Sequence, residues 1–240
     1  LEADNLGSAS YIGPAIRLRK DYYISRAGWQ AISFPFSDVS FNDIEFTNGG
    51  LIVYAGQSGA SSCDTCNLYY YDPEITNSSN IGTGNTSAFG TWIAVDDPNA
   101  TVSQDHGYYL FLGPPHFGNV PMVISLEGTP RAGSQNINTQ DGNGGWNLLP
   151  NPFPTALDWS AKSNLSSEGF DQSYWIFNGS TFAVYNNGVG VNGANGYIPS
   201  GQAFFVHSAS PLIGAGRNQR NFGFQQSMRG RNNRSLHKSL

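Results

Sequence analysis

The sequence predicts an all-β protein, a β-sandwich of jelly-roll-like type built from two pseudo-repeats. The first observation is compositional. The chain has 240 residues, of which only 12% are charged, and it holds 29 Gly, 13 Pro, 15 Phe, 12 Tyr and 5 Trp. Glu and Lys, which fill the exposed faces of helices, are scarce, at 5 and 3 residues, so long amphipathic helices are not expected. The second observation is an ordered internal repeat. Gly28-Trp29-Gln30-Ala31-Ile32-Ser33-Phe34-Pro35-Phe36 matches Gly145-Trp146-Asn147-Leu148-Leu149-Pro150-Asn151-Pro152-Phe153, and Gly107-Tyr108-Tyr109-Leu110-Phe111-Leu112 matches Gly201-Gln202-Ala203-Phe204-Phe205-Val206. The third is that each half carries a pair of aromatic, β-branched segments between these markers.

The elements follow in chain order. Ile16 to Tyr23 reads as a strand. The Gly28 and Gly145 segments read as strands that end at proline, which cannot donate to a ladder. Leu68 to Tyr71 and Thr91 to Val95 form the aromatic pair of the first half. Gly107 and Gly201 open apolar runs of the length of buried strands. Val120 to Leu126 is a further strand, and Thr155 to Ser160 a short helix. In the second half Tyr174–Phe177 and Thr181–Tyr185 flank Asn178-Gly179, whose residue types favour a tight hairpin turn. Residues 1–225 then form one module with halves near 15–118 and 119–225. Residues 226–240 read as a basic linker toward a following domain, because Asp171 is the last acidic residue and six basic ones lie between Arg217 and Lys238.

The polar opening Leu1-Glu2-Ala3-Asp4 lacks the features of a signal peptide, and no apolar run is long enough to span a bilayer. The basic tail has few stacking aromatics, so nucleic acid is not an expected partner. Cys63 and Cys66 lie in a polar loop, Ser61-Ser62-Cys63-Asp64-Thr65-Cys66-Asn67, with no histidine nearby in sequence. A short-range disulfide in an oxidising compartment is the expected state; free thiols and a metal are the alternatives.

Chemistry is sparse. The four histidines, His106, His116, His207 and His237, sit in no nucleophilic motif, and there is no G-x-S-x-G elbow. Asp141-Gly142-Asn143-Gly144 and Asp96-Asp97-Pro98-Asn99 offer oxygen donors of the kind calcium takes, although turn formation is the simpler account. No cofactor is otherwise expected. Candidate ligand-binding residues are Tyr70, which faces opposite to Tyr69 and Tyr71 in a strand, and the carboxylate–indole neighbours Asp158 and Trp159, although a sandwich core with Tyr at its rim, a turn capped by Asp158 and a core Trp159 are the simpler account.

The segment Gly145-Trp146-Asn147-Leu148-Leu149-Pro150-Asn151-Pro152-Phe153-Pro154-Thr155-Ala156-Leu157-Asp158-Trp159 resembles the G-W-N-L-x-G-N-P-Y-P-S-x-x-D-W segment of large surface and adhesin-like proteins of Bacteroidota exported by type IX secretion. Ile198-Pro199-Ser200-Gly201-Gln202-Ala203-Phe204-Phe205-Val206 is similar to the I-P-x-G-Q-A-F-F-V of the same modules. Pro150, Phe153 and Thr155 depart from that pattern. The resemblance spans about residues 15–230 and implies an extracellular, cell-surface module followed by another domain. The expected function is structural or adhesive and non-catalytic, with neighbouring domains as partners. Carbohydrate binding through exposed aromatic residues is the alternative.

Overall fold

A computed structural model of the chain describes residues 16–54, 66–73, 86–87, 90–141, 144–209 and 219–230. The chain is all-β. Its strands are β1 (Leu18–Ile24), β2 (Gly28–Ile32), β3 (Glu45–Phe46), β4 (Leu68–Asp72), β5 (Thr86–Ser87), β6 (Gly90–Ala94), β7 (Tyr108–Leu112) and β8 (Met122–Gly128) in the first part. They continue with β9 (Gln135–Gln140), β10 (Trp146–Pro150), β11 (Ala156–Asp158), β12 (Ser173–Phe177), β13 (Phe182–Asn186), β14 (Val189–Val191), β15 (Tyr197–Ile198), β16 (Ala203–His207), β17 (Gln219–Phe224) and β18 (Arg229–Gly230).

Two five-stranded antiparallel sheets dominate, in the orders β2-β7-β4-β6-β5 and β10-β16-β12-β13-β14. The Gly-Trp strand, the strand of the second repeat marker and the two aromatic strands occupy matching places in both. The fifth strand differs: β5 precedes its neighbour in sequence, whereas β14 follows it. Register differs as well. Trp29 lies opposite Phe111, but Trp146 lies opposite His207 and not Phe205. That is a slip of two residues, and an even slip keeps every side chain on its own face.

Each large sheet is covered on one face by smaller ones. The sheet β1-β8-β3 closes the first core, where Ile24, Ile32, Leu68, Leu110, Leu112 and Ile124 are buried together. The sheets β9-β17 and β15-β11-β18 close the second, around Trp159, Tyr174, Phe204, Phe222 and Phe224. The all-β sandwich expected from the sequence is found, but where one sandwich of two pseudo-repeats was expected, each half encloses its own core. The other faces of the two large sheets meet, and there Ala31 and Tyr71 are buried against Leu148 and Ala203. Strand alternation assigns these layers. In β7, Tyr108, Leu110 and Leu112 enter the first core, and Tyr109 points to the second half.

Three expectations are adjusted. β8 lies beyond the 118/119 division, yet it sits between β1 and β3 of the first half. Arg229–Gly230 lies inside the expected linker, yet it pairs with β11; residues 231–240 lie outside the described residues. Thr155 to Ser160 is not one helix: strand β11 is followed by a 3-10 turn at Trp159–Ala161, and the α-helical turn comes later, at Leu165–Glu168. The hairpin after Phe177 forms, with a four-residue loop held by Asn178, whose side-chain oxygen accepts from the Ser180 and Thr181 amides.

Buried polar side chains fix the crossings. Asn151, fully buried, donates to the carbonyls of Thr155, Ile198 and Pro199 and accepts from the Phe153 amide. Asn151→Ala strands several buried backbone groups and is expected to cost about 2–4 kcal/mol in denaturant unfolding. The Tyr71 hydroxyl, by contrast, is buried without a hydrogen-bond partner. Tyr71→Phe is therefore expected to be neutral or slightly stabilising, and Tyr71→Ala to cost about 3–5 kcal/mol. A large loss in the phenylalanine variant would show that the hydroxyl is bonded after all.

Candidate functional site

The residues singled out from the sequence do not converge. Trp159 is 3% exposed; its indole stacks on Phe222, meets Tyr174 and Phe204 edge-on and donates from Nε1 to the Gln172 carbonyl. No face of it is offered to a sugar. Asp158 caps the 3-10 turn, accepting from the Ser160 amide at 3.0 Å and the Ser160 hydroxyl at 2.6 Å. Both act structurally, and the reason is local: Trp159 closes the second core directly after the cap.

Tyr70 points away from Tyr69 and Tyr71, as strand alternation requires, but each face of β4 is covered. Tyr69 and Tyr71 are buried on the side of the second large sheet. Tyr70, half-buried, packs against the first core and lies 4.9 Å from the His106 ring. Burial raises its phenol pKa, with Asp72 and Asp96 adding to the effect. The sequence puts a tyrosine outward only if one face of β4 is open, and a core position is the reading if both are covered. The apposition of the large sheets meets the second condition.

Cys66 is buried and its side chain is not a free thiol; Cys63 lies outside the described residues. The two acidic loops are engaged in the fold. Asp141 makes two contacts to Arg220 Nε, at 2.9 and 2.8 Å. Asp97 accepts from the Asn99 amide, and Asn99 accepts from Asn42. Gly142 and Asn143 lie outside the described residues. Among the described residues no group of three or more His, Cys, Asp or Glu side chains is placed to hold a metal ion, and no helix is long and apolar enough to cross a membrane.

Two features emerge that sequence reading missed. One is a small polar cleft of about 50 Å³ where the halves meet, lined by Asp72, Asp105 and His106 from the first and Asn138, Gln140 and Asn147 from the second. Asn147 anchors it, its side chain bonding to both the N–H and the C=O of Gln140. Burial lowers the His106 pKa, against the opposing pull of Asp105 and Asp72. The other is a group of exposed apolar side chains on the second large sheet: Phe182 (41%), Val189 (66%) and Val191 (54%). Trp29, on the first large sheet, is 38% exposed and is edged by Tyr69 and Phe111. The turn Asn187-Gly188 ahead of Val189 was the available signal for β14.

No family model, curated protein or solved structure matches the chain.

Among the described residues lining the cleft there is no Ser, Thr or Cys beside His106 to act as a nucleophile. His207 does contact Asp171, Nδ1 to Oδ2 at 2.7 Å, with its ring packed on Trp146. Ser208, the adjacent hydroxyl, is bonded to Asp141 instead.

His106 gives a pH prediction. A histidine with a lowered folded-state pKa binds fewer protons folded than unfolded. Its contribution is therefore intact above the ordinary value of 6.5 and is lost as pH falls from there through the folded value. Unfolding free energy measured in urea should fall between pH 7 and pH 5, and His106→Asn should flatten that slope. An unchanged slope in the variant would place the titration elsewhere.

Proposed function

We propose that this chain is a non-catalytic structural or adhesive module of a secreted cell-surface protein. The observation that carries the reading is where the aromatic side chains are spent. Tyr71, Trp92, Tyr109 and Phe205 form a layer between the two large sheets, with ring centroids 4.7 to 6.3 Å apart among Tyr71–Trp92, Tyr71–Phe205, Trp92–Tyr109 and Trp92–Phe205. Many of the other large rings fill the two cores, among them Phe34, Phe36, Phe41 and Tyr108 in the first and Phe153, Trp159, Tyr174, Phe204 and Phe222 in the second. Such a molecule uses its rings for cohesion, and a rigid double sandwich suits spacing and contact with neighbouring domains. The resemblance to surface modules of Bacteroidota agrees with this and supplies the extracellular location. A Cys63–Cys66 disulfide belongs to the same proposal, since an oxidising compartment permits it.

Carbohydrate recognition is the second reading, and the observation that favours it is Trp29, the one tryptophan with substantial exposure among the described residues. A panel of glycans and polysaccharides, with and without calcium, separates the two. The structural reading expects no saturable binding. A saturable hit abolished by Trp29→Ala, with the far-ultraviolet spectrum unchanged, would replace it. Alkylation of the denatured but unreduced chain, read by mass spectrometry, should leave both cysteines unmodified; two alkylated thiols would remove the disulfide.

A further inference from the structure

Between Asp171 and Arg217 the sequence holds no Asp, Glu, Lys or Arg. This uncharged run forms β12 to β16, four strands of the second large sheet among them. At the sheet's outer side lies β14, Val189-Gly190-Val191, paired with β13 through Val184↔Val191, Tyr185↔Gly190 and Asn186↔Val189. No described strand pairs with its other side.

The turn determines which backbone groups face that open edge. Asn187 and Gly188 connect the strands as a two-residue turn with φ of 46° and 89°. In such a hairpin the closing pair, Asn186 and Val189, exchanges hydrogen bonds, and the next pair, Tyr185 and Gly190, does not. The N–H and C=O of Gly190 therefore point outward. Val189 and Val191 share one face of the strand. The opposite side at Gly190 is closed: a Cβ there would lie 1.8 Å from the Ala194 carbonyl oxygen. Proteins guard an open edge with a lysine, a proline, a bulge, a covering element or a very short edge strand. β14 has no lysine or proline, and only its three-residue length limits pairing.

We propose that β14 is a self-association edge. It pairs antiparallel with β14 of a second copy about a two-fold axis at Gly190, joining the two sheets edge to edge. Three points select a second copy. The strand is self-complementary in this arrangement: Gly190 exchanges both hydrogen bonds with its counterpart, and Val189 meets Val191 of the second copy in the close, non-hydrogen-bonded position. The chain as a whole carries a net charge of −5, so copies repel each other broadly, and this uncharged surface is where they can meet without like-charge cost. A charged partner would find nothing here to pair with. Because the strand is short, the association is weak and dependent on concentration.

The register gives the test. Singly substituted Val189→Cys and Val191→Cys chains are mixed and oxidised, with each variant alone and the unsubstituted chain as controls. The proposal expects a disulfide-linked dimer in the mixture well above either variant alone, since the opposed Cα atoms lie about 4.5 Å apart in such a pair. In sedimentation equilibrium the unsubstituted chain should shift toward dimer as concentration rises. Val189→Lys with Val191→Lys, both exposed and so compatible with folding, should abolish that shift with an unchanged circular dichroism spectrum. A chain that stays monomeric throughout, or cross-linking equal in mixture and single variants, overturns the proposal and leaves the spacer reading standing. Saturable glycan binding lost in the double lysine variant would overturn it too, by assigning the same face to a sugar.

Discussion

The apposition of the two large sheets governs the rest of the molecule. It is held by glycines and main-chain bonds at corresponding places in the two repeats. The Gly107 amide donates to the Leu148 carbonyl, and a Cβ on Gly107 would lie 2.6 Å from the Ala203 Cβ. On the other side of the pseudo-twofold, the Ser33 amide donates to the Gly201 carbonyl, the Gln202 side chain donates to the Ala31 carbonyl at 2.7 Å, and a Cβ on Gly201 would strike the Tyr22 ring. Close packing at Gly107, and at Gly201 the Tyr22 ring together with a φ of 81°, are why both second markers begin with glycine. Small Ala31 and Ala203 face each other's sheet for the same reason, leaving room for Tyr71 and Phe205 to meet edge to face.

That layer also accounts for the low charge. A large sheet here has no solvent face over much of its width, so alternation cannot place a polar residue on every second position. Tyr69, Tyr70 and Tyr71 in succession are tolerable only in a strand covered on both sides. Ion pairs are displaced to the periphery or built as closed networks. Lys162, its side chain fully buried, is held by Glu168 at 2.7 Å, Asn164 and the Gly223 carbonyl, and its ammonium lies over the Phe222 ring. Burial lowers its pKa and Glu168 opposes that. Removing Glu168 alone would leave a buried cation without its counter-ion, which is why such a network is costly to break by halves.

Much of the fold was legible because its determinants are local. Aromatic and β-branched runs, the Asn178-Gly179 loop and the two Gly-Trp markers name strands by residue type alone. The duplication showed in sequence because equivalent strands must bury equivalent faces. What could not be read was which face each strand covers, since this depends on a second sheet distant in sequence. That one gap left Tyr70 undecided between an outward ring and a core one and drew the division at 118/119, although β8 has only first-half neighbours among the described strands. For Asp158 and Trp159 the sequence offered a sugar contact beside the simpler account of a capped turn and a core indole, and the simpler account is the one found: Asp158 caps the 3-10 turn and Trp159 turns inward onto Phe222.

The segment joining the halves bears on mechanical behaviour. Residues 129–134 connect β8 to β9 and are clamped at several points. Arg131 is 5% exposed and donates to the carbonyls of Phe36 and Gln104, its amide donates to the Pro35 carbonyl, and Arg229 from the far end of the chain donates to the Arg131 carbonyl. Burial lowers the Arg131 pKa to about 10, with Asp105 acting in the opposite direction, so the guanidinium remains charged at neutral pH. The connector is thus stitched to both halves, and the second half returns through β18 to hold it. Two sandwiches with a bonded connector and a shared aromatic layer cannot hinge without breaking that layer. This agrees with the proposed spacer role, and under the proposed self-association a partner strand adds at the open edge of β14, away from both cores.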